Sequence, residues 1–347
     1  MNIAIDISPL ESGHKVRGVG FYVTHLKHAL THYFPKHTYH FFTNPNEIPR
    51  DVDLVHYPYF DPFFLTLPLL KKHKTVVTVH DVTPLVFPEH FPAGIKGNLR
   101  WQIQKFALQH TDAIITDSIA SKDDIIRIAG VSEKKIGVAY LAAGDEFAKK
   151  ETVHQHIEIL KKYSLPEKFV LYVGDVTWNK NLPRLVKAIQ ESNLTLVMVG
   201  KSLVSKDFDK TNPWNKDLVD VQSLTKDDKR FIKLGFVPDE DLVALYNCAT
   251  VLAFPSLYEG FGLPILEAMK SGCPVVTTKE GSLNEVAGDG AYYVDGYDIT
   301  SIANGISEVY FTKEIRAGLI KKGLAQANKF HWKKTAEETL AIYKSIL

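Results

Sequence analysis

Short β-branched or apolar runs alternate with amphipathic stretches along the whole chain, and this alternation limits the fold more than any other feature. The runs 2–7, 39–42, 75–79, 113–116 and 135–140 read as buried parallel strands. Between them lie helix-like stretches such as 20–34, where Val23, Leu26, Leu30 and Tyr33 share a face, and 95–110. After a polar stretch over 149–165 the pattern restarts, with strands at 169–173, 194–199, 231–234, 251–254, 275–277 and 291–294 and a helix from about Asn181. The class is therefore α/β, with two Rossmann-like doubly wound domains, 1–160 and 161–330, and a ligand cleft expected between them at the carboxyl ends of the strands. The segment 201–229 is expected to be a solvated loop with partial helix. Trp332, Ala336, Leu340, Tyr343 and Leu347 recur at helical spacing beyond a completed second domain, so the helix over 331–347 is expected to cross back onto the first.

Bulk properties exclude several classes. A net charge of +1 with dispersed lysines and arginines disfavours nucleic acid as a partner. Only Cys248 and Cys273 occur, which supports neither a disulfide framework nor a cysteine metal site. The first residues form a strand pattern without a basic and apolar leader, and no window reaches the apolar length of a membrane span. A cytoplasmic protein is expected, with peripheral contact to the membrane left open.

The segment Glu259-Gly-Phe-Gly-Leu-Pro-Ile-Leu-Glu267 places one carboxylate before a glycine-rich loop and a second inside the helix that the loop opens. Pro264 suits the start of that helix because its missing N–H would be unpaired there anyway. Free amides and the positive end of the helix dipole favour a diphosphate, and Gly260 and Gly262 let it approach closely. An ionised carboxylate only accepts hydrogen bonds, so Glu259 and Glu267 suit diols, one on a sugar and one on a ribose. A capped helix is the plain alternative, since glutamate in a first turn is common.

Lys180 follows a strand and precedes a helix whose N-cap is assigned to Asn181, so it can bring a cation to a diphosphate whose charge grows as it leaves. Arg17-Gly18-Val19-Gly20 is a weak phosphate-facing loop that lacks the glycine register of a dinucleotide fingerprint. Val199-Gly-Lys-Ser202 lacks the first glycine of a P-loop, because Thr195 stands there. His80 and Asp81 lie just beyond a strand, where they can meet a sugar or acceptor hydroxyl or simply stabilise a turn. No histidine pair backed by carboxylates and no Asp-x-Asp at a strand end suggests a metal.

Together these residues resemble family 4 of the retaining glycosyltransferases, which have the GT-B fold. The resemblance covers nearly the whole chain and runs through Arg17-Gly-Val-Gly20, Val79-His-Asp-Val-Thr-Pro84, Asp117-Ser-Ile-Ala-Ser-Lys122, Tyr172-Val-Gly174 with Lys180-Asn, Leu234-Gly-Phe-Val237, the Glu-x7-Glu segment, Pro274-Val-Val276, Asn284-Glu-Val-Ala-Gly288 and Phe330-His-Trp332. Its nearest subgroup is the bacterial mannosyltransferases of surface-polysaccharide assembly. The resemblance implies a metal-independent retaining transferase without a bound cofactor, taking a hexose from a nucleoside-diphosphate sugar, GDP-mannose being favoured over a UDP-sugar, to a glycan or lipid-linked glycan. Glu259, His80 and Lys180 would carry the chemistry. Glu259 would hold the sugar near its 3-hydroxyl and Glu267 the ribose, while Phe261, Gly262 and Leu263 would offer backbone amides. Gly235, Phe236 and Val237 would line the base pocket, Gly18, Gly20, Asn181 and Arg184 would assist the donor, and Arg17 and Asp81 would face the acceptor. Many members carry arginine where this chain has Asp175, which shifts the diphosphate toward Lys180 and Arg184.

Two rivals remain: a nicotinamide-dependent oxidoreductase, disfavoured by the missing fingerprint, and a sugar-nucleotide-binding homologue without turnover. The aromatic and basic segment 57–74 could face a lipid, but three prolines interrupt any long amphipathic helix, and burial as a core loop and helix beneath the acceptor cleft is the expectation.

Overall fold

Parallel pairing of short buried strands builds both halves of the molecule. The computed structural model describes residues 1–11, 18–150 and 153–347. Arg17 lies outside the described residues. The chain divides into two compact units, 1–142 with 330–347, and 143–329. The division falls at Ala142/Ala143, ahead of the expected boundary near residue 160, because the helix Val153–Lys162 packs on Asp239–Cys248 of the second unit.

In the first unit, β1 (Asn2–Asp6), β2 (Thr38–Phe42), β3 (Leu54–Tyr57), β4 (Lys74–Thr78), β5 (Ala113–Thr116) and β6 (Ile136–Val138) form a parallel sheet ordered β2-β1-β3-β4-β5-β6. The sequence pattern misses β3, which has only four residues and a histidine at its centre. That His56 is fully buried, and its Nε2 and Nδ1 meet Thr78 Oγ1 at 2.8 Å and Tyr343 Oη at 2.7 Å. Burial pushes its pKa down to about 3, so the ring is neutral and one nitrogen accepts while the other donates. Tyr22 Oη joins the chain through Thr78 Oγ1 at 2.9 Å. The C-terminal helix Trp332–Lys344 thus belongs to the first unit: Tyr343 anchors it to β3, Thr335 Oγ1 donates to Tyr140 O at 2.6 Å, and Trp332 packs beside His25. Gly18 and Gly20 lie in the first turn of the helix Gly18–Tyr33, not in a loop, and Gly20 is buried there.

The segment 57–74 departs from the expectation of burial. Phe60 and Leu67 enter the core with Trp101 and Leu108, but Phe64, Leu65, Leu69 and Leu70 are exposed. The backbone is held by Gln104, whose Oε1 accepts from Leu67 N at 2.9 Å and whose Nε2 donates to Leu67 O at 3.1 Å. Backbone pairing to a buried amide fixes the segment without burying its side chains.

In the second unit, β7 (Val170–Val173), β8 (Leu196–Val199), β9 (Phe231–Gly235), β10 (Val251–Phe254), β11 (Val275–Thr277) and β12 (Ala291–Tyr293) form a parallel sheet ordered β12-β11-β10-β7-β8-β9. The chain runs outward from β7 through β8 to β9, then returns to place β10 on the other side of β7. The region 201–229 is loop with partial helix, as expected, and its helix Lys216–Leu224 buries Leu218 and Val221. Among the described residues no helix is long and apolar enough to cross a membrane.

The buried Tyr343–His56 contact gives a direct stability test. Tyr343→Phe strands a ring nitrogen of His56 and should lower unfolding free energy by about 1–3 kcal/mol, read from urea titration. An unchanged transition midpoint would show that the contact does not hold the helix.

Candidate functional site

The loops after β7 and β10 meet where the strand order of the second sheet reverses, the position at which open α/β sheets form a ligand crevice. After β7 the chain passes Gly174 and a short 3₁₀ turn, Trp178–Lys180, into the helix Leu182–Ser192. Lys180 Nζ lies 2.7 Å from both carboxylate oxygens of Glu259, and 5.3 Å from the Phe254 ring centroid. The Glu259 side chain is 9% exposed and that of Lys180 21%, so each charge lies largely out of water, compensated by the other.

Backbone bonds lock the two loops together. Asn179 Nδ2 donates to Tyr258 O at 2.9 Å, and Leu257 N donates to Asn179 O at 2.7 Å. Asn181 occupies the N-cap position with φ 58°, but its side chain does not cap the helix. Instead Nδ2 donates to Pro255 O at 2.9 Å and Gly296 O at 2.7 Å, while Oδ1 accepts from Arg184 Nη1 at 2.9 Å. Asn181 is therefore a strut across the crevice, and Arg184 is held at the crevice edge, its guanidinium 5.4 Å from the Tyr297 ring centroid.

Sequence reasoning overlooked Gly281 and Ser282. The Ser282 hydroxyl lies 3.0 Å from Glu259 O and 2.8 Å from Phe261 O, donating between them, and Ser282 N reaches Glu259 O at 3.2 Å. Gly281 has φ 58°, and a Cβ there would stand 2.6 Å from Glu259 O. Only the local Gly-Ser pair hinted at this, and the partner is more than twenty residues away.

Gly262, with φ 100°, turns the chain into the helix Leu263–Lys270, with Pro264 in its first turn. Phe261 is buried, and Leu263 opens the helix. Glu267 does not share Lys180 with Glu259. Its Oε2 accepts from Tyr246 Oη at 2.9 Å, and burial pushes its pKa up to about 7. Gly235, with φ 68°, ends β9; Phe236 is exposed and Val237 buried beyond it. Asp175 is exposed and accepts weakly from Ser202 Oγ at 3.4 Å. Among the described residues no cluster of three or more His, Cys, Asp or Glu could hold a metal ion.

In the first unit, His80 follows β4 and Asp117 follows β5. Asp117 Oδ2 accepts from His80 Nδ1 at 2.7 Å, and Tyr22 packs edge-on to the imidazole at 4.7 Å. Burial works against charge on His80, but the Asp117 and Asp81 carboxylates outweigh it and raise its pKa. Asp81 itself accepts from Thr83 N at 2.8 Å, which is the turn-stabilising role. Asp117, not Asp81, orients the histidine.

Two doubly wound units of this topology have the architecture of the GT-B fold, and the comparisons give the class, a glycosyltransferase. Residues 156–326 match the family described as "Glycosyl transferases group 1", and residues 9–142 match "Glycosyltransferase Family 4". The chain is 31% identical over 296 residues to the O-antigen chain mannosyltransferase B of Escherichia coli, spanning 84% of this chain and 75% of that one. It belongs to the family 4 glycosyltransferases. The fold is similar to that of sucrose-phosphate synthase from Thermosynechococcus elongatus (TM-score 0.76, 18% identity, 99% and 98% of the two chains). It is equally similar to HepE of Anabaena, whose structure holds UDP-glucose (TM-score 0.76, 18% identity, 99% and 100% of the two chains).

Two outcomes follow from this geometry. Gly281→Ala should displace the Glu259 loop while leaving the fold intact, costing about 1–3 kcal/mol of stability by the strain of a non-glycine residue at this φ and the close contact. Equal melting temperatures for variant and wild type would contradict it. A diol that donates to both carboxylate oxygens of Glu267 calls for the ionised form, which is lost as pH falls through about 7. Its affinity should then weaken by up to about tenfold per pH unit below that point, one proton being linked to binding. Titration calorimetry at several pH values checks this, and Glu267→Gln should flatten the dependence.

Proposed function

We propose that this transferase is a retaining, metal-independent mannosyltransferase that moves mannose from GDP-mannose to a hydroxyl of a glycan or lipid-linked glycan in surface-polysaccharide assembly. The observation that carries the reading is the Lys180–Glu259 pair at the crevice between the β7 and β10 loops. The relative's name as an O-antigen chain mannosyltransferase supports the sugar and the acceptor class. A UDP-sugar is the second reading, favoured by the UDP-glucose bound to HepE. Free thiols at Cys248 and Cys273 suit a reducing cytoplasm.

In this reading the diphosphate sits against the Gly262 turn, where the first amides of the helix Leu263–Lys270 have no intrahelical partner. Lys180 adds a full positive charge. As the sugar–phosphate bond breaks, negative charge grows on the leaving diphosphate, so these groups stabilise the transition state more than the bound substrate. Glu259 accepts from a sugar hydroxyl and Glu267 from the ribose diol. Gly235 to Val237 line the base pocket. With configuration retained, the departing phosphate oxygen takes the acceptor proton and no side chain need act as nucleophile. His80, fixed by Asp117, serves sugar or acceptor binding on the first unit.

Thermal unfolding against GDP, UDP, GDP-mannose, UDP-glucose and NADH tests the class and the base together, since a ligand selective for the folded state raises the midpoint. The expected result is a shift with GDP and GDP-mannose that shrinks in Lys180→Ala. Transfer from GDP-mannose should continue in EDTA, and proton NMR of the product should show the donor's anomeric configuration. A shift with NADH alone would overturn the reading, and a shift confined to UDP and UDP-glucose would select the second.

A further inference from the structure

The helix Gly94–Gln109 is apolar on two opposite faces. Gly97, Trp101, Gln104 and Leu108 form the buried face. Ile95, Leu99 and Phe106 follow the same helical spacing on the far side and point to solvent, 91%, 65% and 55% exposed. A helix on a protein surface ordinarily places polar residues there. Beside it runs the outer edge of the preceding segment, with Phe64, Leu65, Leu69 and Leu70 exposed, Leu70 at 91%. The two are joined. Arg100 Nη1 donates to Phe63 O at 3.3 Å with its guanidinium 5.6 Å from the Phe64 ring centroid, and Lys71 Nζ donates to Ala107 O at 2.8 Å. These side chains are therefore displayed on a backbone anchored to the core.

Charge identifies the partner. Residues 62–74 and 90–111 contain no Asp or Glu, and Lys72, Lys96 and Arg100 are exposed cations there. Lys71 and Lys105 add charge while bonded to the Ala107 and Ile128 carbonyls, and Lys74 is paired with Asp112 at 3.3 Å. On the helix, Lys96 and Arg100 flank one side of the apolar stripe and Lys105 the other. In a chain whose net charge is only +1, this is a local concentration of one sign around apolar side chains. A protein surface that recognised it would need matching acidic groups about an apolar patch. An anionic bilayer offers both everywhere, with phosphates at the level of the amines and acyl chains below.

We propose that this face of the first unit, the outer stripe of the helix Gly94–Gln109 with the edge 64–74, seats the enzyme on an anionic lipid bilayer. The proposal rests on the lipid-linked acceptor named above and adds the surface on which that acceptor is met. Apolar side chains enter the interface while Lys72, Lys96 and Arg100 remain at headgroup level, so binding is reversible and weakened by salt.

The test is flotation of the full chain with phosphatidylcholine vesicles, with and without phosphatidylglycerol, at low and high salt. The wild type should float with the anionic vesicles at low salt and lose much of that binding at high salt. Leu70→Gln, Ile95→Gln and Leu99→Gln together should lower the partition by about tenfold per side chain, as expected for apolar groups withheld from the interface. Lys72→Glu with Lys96→Glu should abolish the preference for anionic vesicles. All these positions are exposed in the monomer, so the variants should keep the wild-type melting temperature and the nucleotide-induced shift. Absence of flotation at low salt, or an apolar triple variant that floats like the wild type, would overturn the proposal. So would sedimentation showing a dimer that the triple variant abolishes while lipid binding is absent. A nucleotide shift without flotation defeats this inference alone, and flotation without any nucleotide shift defeats the donor reading alone.

Discussion

The reversal of strand order at β7 is the constraint on which the site depends. Because β8 lies on one side of β7 and β10 on the other, the loops that leave β7 and β10 meet at the switch point, the position at which open α/β sheets form a ligand crevice. Two charges occupy it, Lys180 from one loop and Glu259 from the other. A largely buried pair of this kind is expensive to desolvate and contributes little to folding, so its place at the ligand edge of a sheet is better explained by binding than by stability. Everything around the pair fixes it. Asn181 and Asn179 tie the loops through backbone carbonyls, Ser282 holds the Glu259 and Phe261 carbonyls, and Gly281 allows the close approach.

The first unit spends its buried polar groups differently. The chain Tyr22, Thr78, His56 and Tyr343 satisfies every member inside the core and secures the C-terminal helix, with His56 kept neutral by burial. His80 is tuned in the opposite direction, held toward its charged form by the carboxylates beside it. Two histidines in one unit thus have opposite electrostatics, one isolated from charge and one paired with it.

Strand and helix alternation was legible because buried parallel strands are short apolar runs and surface helices carry periodic stripes. β3 escaped notice because His56 interrupts its apolar pattern, and nothing local reveals that Thr78 and Tyr343 will satisfy the ring. The glycine-rich segment with its two carboxylates was visible as a candidate site, but the sequence could not say that Glu259 takes Lys180 as partner while Glu267 takes Tyr246. Asn181 looked like a cap because Asn before Leu-Pro usually is one, yet its amide finds two carbonyls brought in by distant loops. Asp117 was seen only within a family pattern, since its partner His80 lies on the neighbouring strand. The apolar segment 57–74 was expected to be buried because apolar runs usually pack inward, but hydrogen bonds from Gln104 hold its backbone and leave its outer edge free.

The proposed donor site turns on Lys180 meeting the diphosphate at the β7–β10 crevice. The most direct measurement is the ratio of dissociation constants for the nucleoside monophosphate and diphosphate, by titration calorimetry, in the wild type and in Lys180→Met. The wild type should prefer the diphosphate by about tenfold or more, the scale of one charge-assisted contact, and Lys180→Met should nearly remove this preference while monophosphate affinity changes little. A preference that survives the substitution undiminished would place the diphosphate away from Lys180.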